Sequence, residues 1–420
     1  MLDIKYIREN TEIVRQAIKN KKEKANLDRL LSLDEKKKQL QFDYDQNRAN
    51  QNKVSKEIPI LKKSNGDTTE LLSEMKKVSG LLKSIQEEMR IVNEEFEQIL
   101  LTIPNIPDTD VPIGDERDNE FVREWGEKRS FSFIPQDHYE IATRLSLLDP
   151  ARASKISGSG FMAYTNKGAQ LERALINFML DFHTEHHDYS EISLPVLVNR
   201  QTMTGTGQLP KLEDDMYHIN QDDLFLIPTA EVSVTNFYGN EILSYKNLPI
   251  KMVSYSPCFR REAGSYGKDT KGLQRLHQFN KVEMVQLTPR EISEKTLEEM
   301  LLHAEAILQQ LELPYRVVKL ATGDLSFASS KTYDIEVWAP GANRFLEVSS
   351  ISNFRDFQAR RASLRYRNEK DQVEFMHTLN GSGLATPRTM IAILENYQTE
   401  EGGVEIPNVL KKYLDNARFI

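Results

Sequence analysis

Two runs of positions spaced by four and three constrain this 420-residue chain more than any other feature. Leu33, Lys37, Leu40, Tyr44, Asn47, Gln51, Val54, Ile58 and Leu61 make the first run; Leu71, Met75, Val78, Leu82, Ile85, Met89, Val92, Phe96 and Ile99 make the second. A heptad seam of this kind buries one stripe of a helix against a partner helix. The turn signal Ser64-Asn65-Gly66-Asp67 separates the runs, so they predict an antiparallel coiled-coil hairpin over about 27–100. Some thirty-five residues per helix at 1.5 Å each give an arm of roughly 50 Å. The second seam is apolar throughout, whereas Lys37, Asn47 and Gln51 weaken the first. Pro59 sits inside the first run. An interior proline costs a helix about 3 kcal/mol, which predicts a bend or an early stop near the tip.

The net charge of −8 excludes an electrostatic case for a polyanion partner based on the whole chain. The charge is uneven, however: residues 1–100 are +2 and the remainder −10. The arm carries Lys36, Lys37, Lys38, Lys53, Lys56, Lys62, Lys63, Lys76, Lys77 and Lys83. Such a face suits a polyanion held by its backbone, and it equally suits a solvated spacer or a dimerisation element. The single cysteine, Cys258, excludes an intrachain disulfide or a cysteine zinc cluster and fits a reducing compartment. The start, MLDIKYIREN, has no apolar core of a signal peptide, and no run of about 18 apolar residues occurs, so a cytoplasmic location is expected.

Three prolines between Ile103 and Gly114 mark a linker. A second domain is expected from about residue 120. Residues 168–187 have helical periodicity and end in His183, His186 and His187. No cysteine or HExxH pattern supports a metal there, and cations at a helix C-terminus are favourable in any case. Ile192–Val198 is expected as a strand containing Pro195. Lys331–Trp338 and Arg344–Ser350 alternate as strands do.

The chemistry concentrates in 259–287, FRREAGSYGKDTKGLQRLHQFNKVEMVQL. Two strands flanking a long loop are expected. Residues two apart share a strand face, so Arg260 joins Glu262, and Phe279 joins Lys281 and Glu283. An arginine forks onto phosphate oxygens, a ring stacks, and a carboxylate takes a proton donor. That set makes a nucleotide and amino-acid pocket; a charged surface hairpin would use the same residue types. The glycines at 264 and 267 do not have the spacing of a phosphate-binding P-loop, Gly158-Ser-Gly160 lacks the third glycine of a dinucleotide fingerprint, and no GxSxG elbow is present.

The segment FRREAGSYGKDTKGLQRLHQFNKVEM resembles the second signature motif of class II aminoacyl-tRNA synthetases, in the form found in seryl-tRNA synthetases. The remaining motifs follow in the family's order. The helix of 168–187 with Pro195 is similar to the first motif. Thr204-Gly-Thr-Gly-Gln-Leu-Pro210 and Pro228-Thr-Ala-Glu-Val232 are similar to serine-family segments. Asn380-Gly-Ser-Gly-Leu-Ala-Thr-Pro-Arg388 is similar to the third motif. Ser326 departs from the glycine common in the family, and nothing is carried over from it.

The resemblance implies an α+β fold: a class II antiparallel sheet flanked by helices, preceded by an N-terminal helical domain with the coiled-coil arm. Residues 1–103 would form that tRNA-binding domain, 104–119 the linker and 120–420 the catalytic domain. It implies ATP-dependent attachment of L-serine to serine tRNA through seryl-adenylate, with the arm holding the tRNA's long variable arm. Selenocysteine tRNA is an implied further substrate and a homodimer the implied assembly, joined through the first motif. Arg260, Arg261, Glu262, Phe279, Glu347, Val348, Ser349, Ser350 and Arg388 are the implied ATP contacts, and Glu347 and Ser350 the Mg²⁺ contacts. Thr229, Ala230, Glu231, Arg260, Glu283 and Ser382 are the implied serine contacts, with Arg260, Glu262 and Arg388 as the catalytic group. The basic residues Arg355, Arg360, Arg361, Arg365 and Arg367 would face the tRNA acceptor end or form a solvated face. A catalytically dead RNA-binding relative would need Arg260 and Arg388 replaced. A ligase loading a carrier protein would lack the arm.

Overall fold

The computed structural model describes residues 1–262 and 272–420. Gly264 and Gly267 of the motif loop, and the rejected P-loop pattern with them, lie outside the described residues. The chain divides into two compact units. One comprises Leu2–Lys19 and Glu23–Pro104; the other comprises Met1, Asn20–Lys22 and Asn105–Ile420.

In the first unit, short helices precede two long ones, Leu27–Lys63 and Thr69–Leu100, which pack side by side. Asn26 caps the first long helix by accepting from Arg29 N at 3.0 Å. Of the expected seam, Leu33, Leu40 and Val54 on the first helix and Val78, Leu82, Ile85, Val92 and Phe96 on the second are buried, as is Leu30 just before it. The polar seam positions are partnered rather than orphaned. The Lys37 ammonium sits 3.9 Å over the Phe96 ring, Gln51 Nε2 donates to Ser79 Oγ at 2.9 Å, and Asn47 donates to Asp43 O at 2.7 Å. Ion pairs Arg29–Glu95 and Lys36–Glu88, each 2.6 Å, tie the two helices together.

Pro59 does not stop the helix. It continues one turn further to Lys63, where Ser64 N and Gly66 N close the last turn onto Ile60 O and Leu61 O. The proline removes one N–H within an exposed terminal turn, where little packing depends on it.

In the second unit an eight-stranded sheet carries the core. Its strands are β1 Glu120–Trp125, β2 Ser190–Glu191, β3 Ile250–Phe259, β4 Gln278–Thr288, β5 Tyr315–Lys319, β6 Lys331–Ala339, β7 Arg344–Asn353 and β8 His377–Ala385. The spatial order is β1-β5-β6-β7-β8-β4-β3-β2. Every pair is antiparallel except β2 with β3 at the edge. Helices Asn166–His186, Ser293–Gln310 and Thr386–Asn396 bury Leu175, Met179, Leu301, Ile307, Met390 and Ile393 in one cluster with Val282, Met284, Val317, Ile335 and Ile351 of the sheet. That continuous cluster is what fixes the strands and the side chains on them.

Two local expectations change. Pro195 has no N–H to give a ladder, and Ile192–Val198 is accordingly not one strand: Ser190–Glu191 and Leu197–Asn199 lie either side of it in different sheets. The proline-rich segment after 104, expected as a linker, is anchored by hydrogen bonds. Asn105 Nδ2 donates to Ala328 O and Phe354 O at 2.8 and 2.9 Å, and Asp108 N to Ser330 O at 2.9 Å, so its backbone needs are met by the second unit.

Candidate active site

The face of β3, β4, β7 and β8 away from the large helices opens into a cavity of about 590 Å³. Register explains which side chains reach it. Strands β3 and β4 pair Cys258 with Phe279 and Ser254 with Glu283, and β8 sets Ser382 opposite Glu283 and Ala385 opposite Lys281. Phe279, Lys281 and Glu283 alternate along β4 and all line the cavity. Arg260 and Glu262 follow the end of β3 and also line it.

Arg260 is held at both ends. Its backbone exchanges bonds with His277, N to His277 O at 2.9 Å and O with His277 Nδ1 at 2.9 Å. Its Nε donates to Pro228 O at 3.3 Å, and the guanidinium lies 5.1 Å from the Phe279 ring centroid. A planar cation beside a ring, both facing one cavity, can clamp an anion next to a stacked base. Glu262 sits 3.4 Å from Arg275. Across the cavity Arg388, in the first turn of Thr386–Asn396, is paired with Glu347. The helix start adds its own positive end to that guanidinium.

The deep end is acidic. Lys281 and Glu283 form a buried ion pair. Glu231, at the start of the helix Glu231–Thr235, accepts from Gln358 Nε2 at 2.7 Å. Burial, then the nearby Glu283 charge, pushes its pKa up to about 7. Thr229 is buried beside it and accepts from Glu231 N at 3.2 Å. Gly207, at φ +91°, closes the helix Arg200–Thr206 in the left-handed conformation and lines the same end, so Thr204-Gly-Thr-Gly is a helix terminus built into the cavity.

Of the residues singled out from sequence, Thr229, Glu231, Arg260, Glu262, Phe279, Glu283, Glu347, Val348, Ser350, Ser382 and Arg388 line this one cavity. Three do not. Ala230 packs in a neighbouring apolar cluster. Ser349 faces the interior and donates to Ser382 O at 2.6 Å. Arg261 turns to Tyr217, 5.9 Å from its ring centroid, and its N–H bonds Asp215 O. Strand alternation accounts for Ser349, because Ser350 takes the cavity side.

The sequence missed Gln208, Gln274, Arg275 and Asn380 as lining residues. Asn380 is legible as two residues before Ser382 on the same strand; Gln274 and Arg275 lie within the 259–287 segment, where no alternation singles them out. The basic stretch is used largely for structure: Arg355 pairs with Asp108, Arg360 with Asp356 at 2.7 Å, and Arg361 donates to Thr204 O and Leu209 O. His183 bonds Gly383 O at 3.1 Å and His187 Nδ1 at 3.0 Å.

A cation fits beside Arg388. Glu347 and Ser350 offer hard oxygens, and Asp334, paired with Ser350 in register, has a buried Oδ1 that accepts no hydrogen bond among the described residues.

Residues 212–397 match the tRNA synthetase class II core domain (G, H, P, S and T), and residues 1–107 match the seryl-tRNA synthetase N-terminal domain. The chain is 50% identical to the serine–tRNA ligase of Geobacter sulfurreducens and 53% identical to that of Acetivibrio thermocellus, covering all of each. Among solved structures it is similar to seryl-tRNA synthetase from Pyrococcus horikoshii complexed with ATP. The TM-score is 0.93 and the identity 38%, with 100% of this chain and 99% of that one covered. Cytoplasmic serine–tRNA ligase from Naegleria fowleri in complex with AMP follows at 0.85 and 30%, with 100% and 98% covered. Matches at both ends of the chain and identity of half or more over its full length agree with the sheet topology and the motif-bearing cavity: the chain belongs to the seryl-tRNA synthetase family.

Proposed function

We propose that the protein attaches L-serine to serine tRNA in two steps within the cavity described above. The serine carboxylate attacks the α-phosphate of ATP, forming seryl-adenylate and releasing pyrophosphate. A 3′-terminal ribose hydroxyl of the tRNA then attacks the adenylate carbonyl and AMP leaves. Neither step needs a protein nucleophile, so the side chains act by positioning and charge neutralisation.

The observation that carries this is the arrangement of Arg260 and Arg388 on one cavity with the acidic set Glu231 and Glu283 at its deep end. Arg260 bridges the α-phosphate and the serine carboxylate, while Phe279 stacks on the adenine and Glu262 accepts from its amine. Arg388 holds the γ-phosphate. Glu347 and Ser350 would hold Mg²⁺, which would add charge neutralisation of the triphosphate. Glu231 and Thr229 take the α-ammonium, and Glu283 and Ser382, adjacent in register, take the serine hydroxyl. The arm, with Lys53, Lys56, Lys62, Lys63, Lys76, Lys77 and Lys83 exposed, holds the tRNA variable arm by its backbone. A homodimer, and selenocysteine tRNA as a second acceptor, belong to the same proposal. ATP–pyrophosphate exchange against a panel of amino acids tests it: only serine should support rapid exchange, and a preference for another amino acid would overturn it.

A further inference from the structure

Gln358 does not line the cavity, yet it holds the Glu231 carboxylate. It is fully buried on the short helix Phe357–Ala362. Its Nε2 donates to Glu231 Oε1 at 2.7 Å and to Thr206 O at 3.1 Å, and its Oε1 accepts from Thr378 Oγ1 at 2.7 Å. The reversed amide would set its oxygen against two acceptors, so the partners themselves fix its orientation. Through this one amide, the end of the helix Arg200–Thr206, strand β8 and the start of the helix Glu231–Thr235 are tied together.

We propose that Gln358 is a positioning residue for the amino-acid substrate: its amide occupies one oxygen of Glu231 and leaves the other to the incoming α-ammonium. This rests on Glu231 being the ammonium acceptor. The charged and polar groups around Glu231 are Glu283 and Lys281 from β4, Asn380 from β8 and Gln358 itself. Burial and Glu283 favour the protonated carboxyl, whereas the Gln358 hydrogen bond, the Lys281 charge and, least, a hydrogen bond from Asn380 favour the carboxylate. Removing the amide donor therefore weakens serine binding in two ways: the carboxylate loses its fixed rotamer, and it spends more time protonated. In the proposed arrangement ATP contacts neither group, so its binding is expected to be spared.

The test is serine-dependent ATP–pyrophosphate exchange by full-length Gln358→Leu from pH 6 to 9. The expected result is a KM for serine raised about 10- to 100-fold, the loss of a hydrogen bond to a charged group. The KM for ATP and the rate at saturating serine should stay within about twofold. The acid limb of kcat/KM for serine should move to higher pH. An unchanged serine KM, or equal rises in both KM values, would overturn the proposal. Glu231→Gln run in parallel separates the layers. If it leaves serine KM unchanged, the ammonium assignment itself fails; if it impairs serine use while Gln358→Leu does not, only the role of Gln358 fails. Should Gln358→Leu not fold, Thr378→Val, which removes the donor that orients the amide, is expected to shift serine KM in the same direction by about threefold, and no shift would overturn the proposal.

Discussion

Arg388 and Glu347 meet at the cavity wall, where Arg388 Nη1 donates to the Glu347 backbone carbonyl at 2.8 Å and lies 3.2 Å from its carboxylate. The pair is partly exposed, so it contributes little to stability; its consequence is orientation. Its Nε reaches Gln274 O at 3.5 Å, so Glu347 and Gln274 hold the guanidinium from two sides, and Glu347 and Ser350 line the same cavity.

Arg388→Lys should therefore lower kcat/KM for ATP by about 100-fold, because an ammonium cannot keep the Glu347 contacts and fork onto phosphate at once. The serine KM should change little. Pyrophosphate exchange at varied ATP concentration reads this, and wild-type ATP dependence would remove Arg388 from the phosphate site.

Glu283→Ala should abolish serine activation and also destabilise the fold. It leaves Lys281 buried without its partner, a cost of about 3–5 kcal/mol. Denaturant unfolding measures the second effect. Glu283→Gln, which keeps the volume, isolates the first: discrimination against alanine, expected to be about 10⁴-fold in the wild type, should fall sharply. Normal serine-dependent exchange by Glu283→Ala would refute the hydroxyl assignment.

The raised pKa of Glu231 links stability to pH in a definite direction. Between the ordinary carboxyl value of 4.5 and about 7, the folded protein holds a proton there that the unfolded chain has released. Its contribution to stability is complete below that window and is lost as pH rises through it, by about 3 kcal/mol in all. Serine use should run the opposite way, rising as the carboxylate forms. Denaturant midpoints at pH 5 and pH 8 for wild type and Glu231→Gln check the first statement. The variant should be the less pH-sensitive of the two, and equal slopes would dismiss it.

Replacing residues 35–95 by a short glycine linker should eliminate tRNA charging while leaving pyrophosphate exchange with serine intact, since the arm and the cavity belong to different compact units. A milder version substitutes Lys53, Lys56, Lys76 and Lys77 by alanine; the tRNA KM should rise, and its salt dependence should flatten by about one unit of slope per lost phosphate contact. Full charging without the arm would end this account of it.

Much of the architecture could be read along the chain because it is periodic. The seam Val78, Leu82, Ile85, Val92 and Phe96 repeats every three or four residues, and the repeat itself dictates a helix pair. Period-two alternation likewise puts Phe279, Lys281 and Glu283 on one face. Propensity at Pro59 counts only a lost N–H and a clash; it does not register that the helix carries one further turn to Lys63, where little packing depends on it.

What the linear order could not supply was contact between residues far apart in number. Gln358 touches Glu231 across 127 positions, and Arg388 touches Glu347 across 41. The proline-rich segment reads as a linker, and only the folded chain shows Asn105 bonded to carbonyls more than 220 residues away. Local sequence sets backbone period and which side chains share a face, since those depend on neighbours alone. Strand order and the burial of Glu231 beside Glu283 arise only when the sheet assembles, because desolvation and long-range pairing are properties of the packed core.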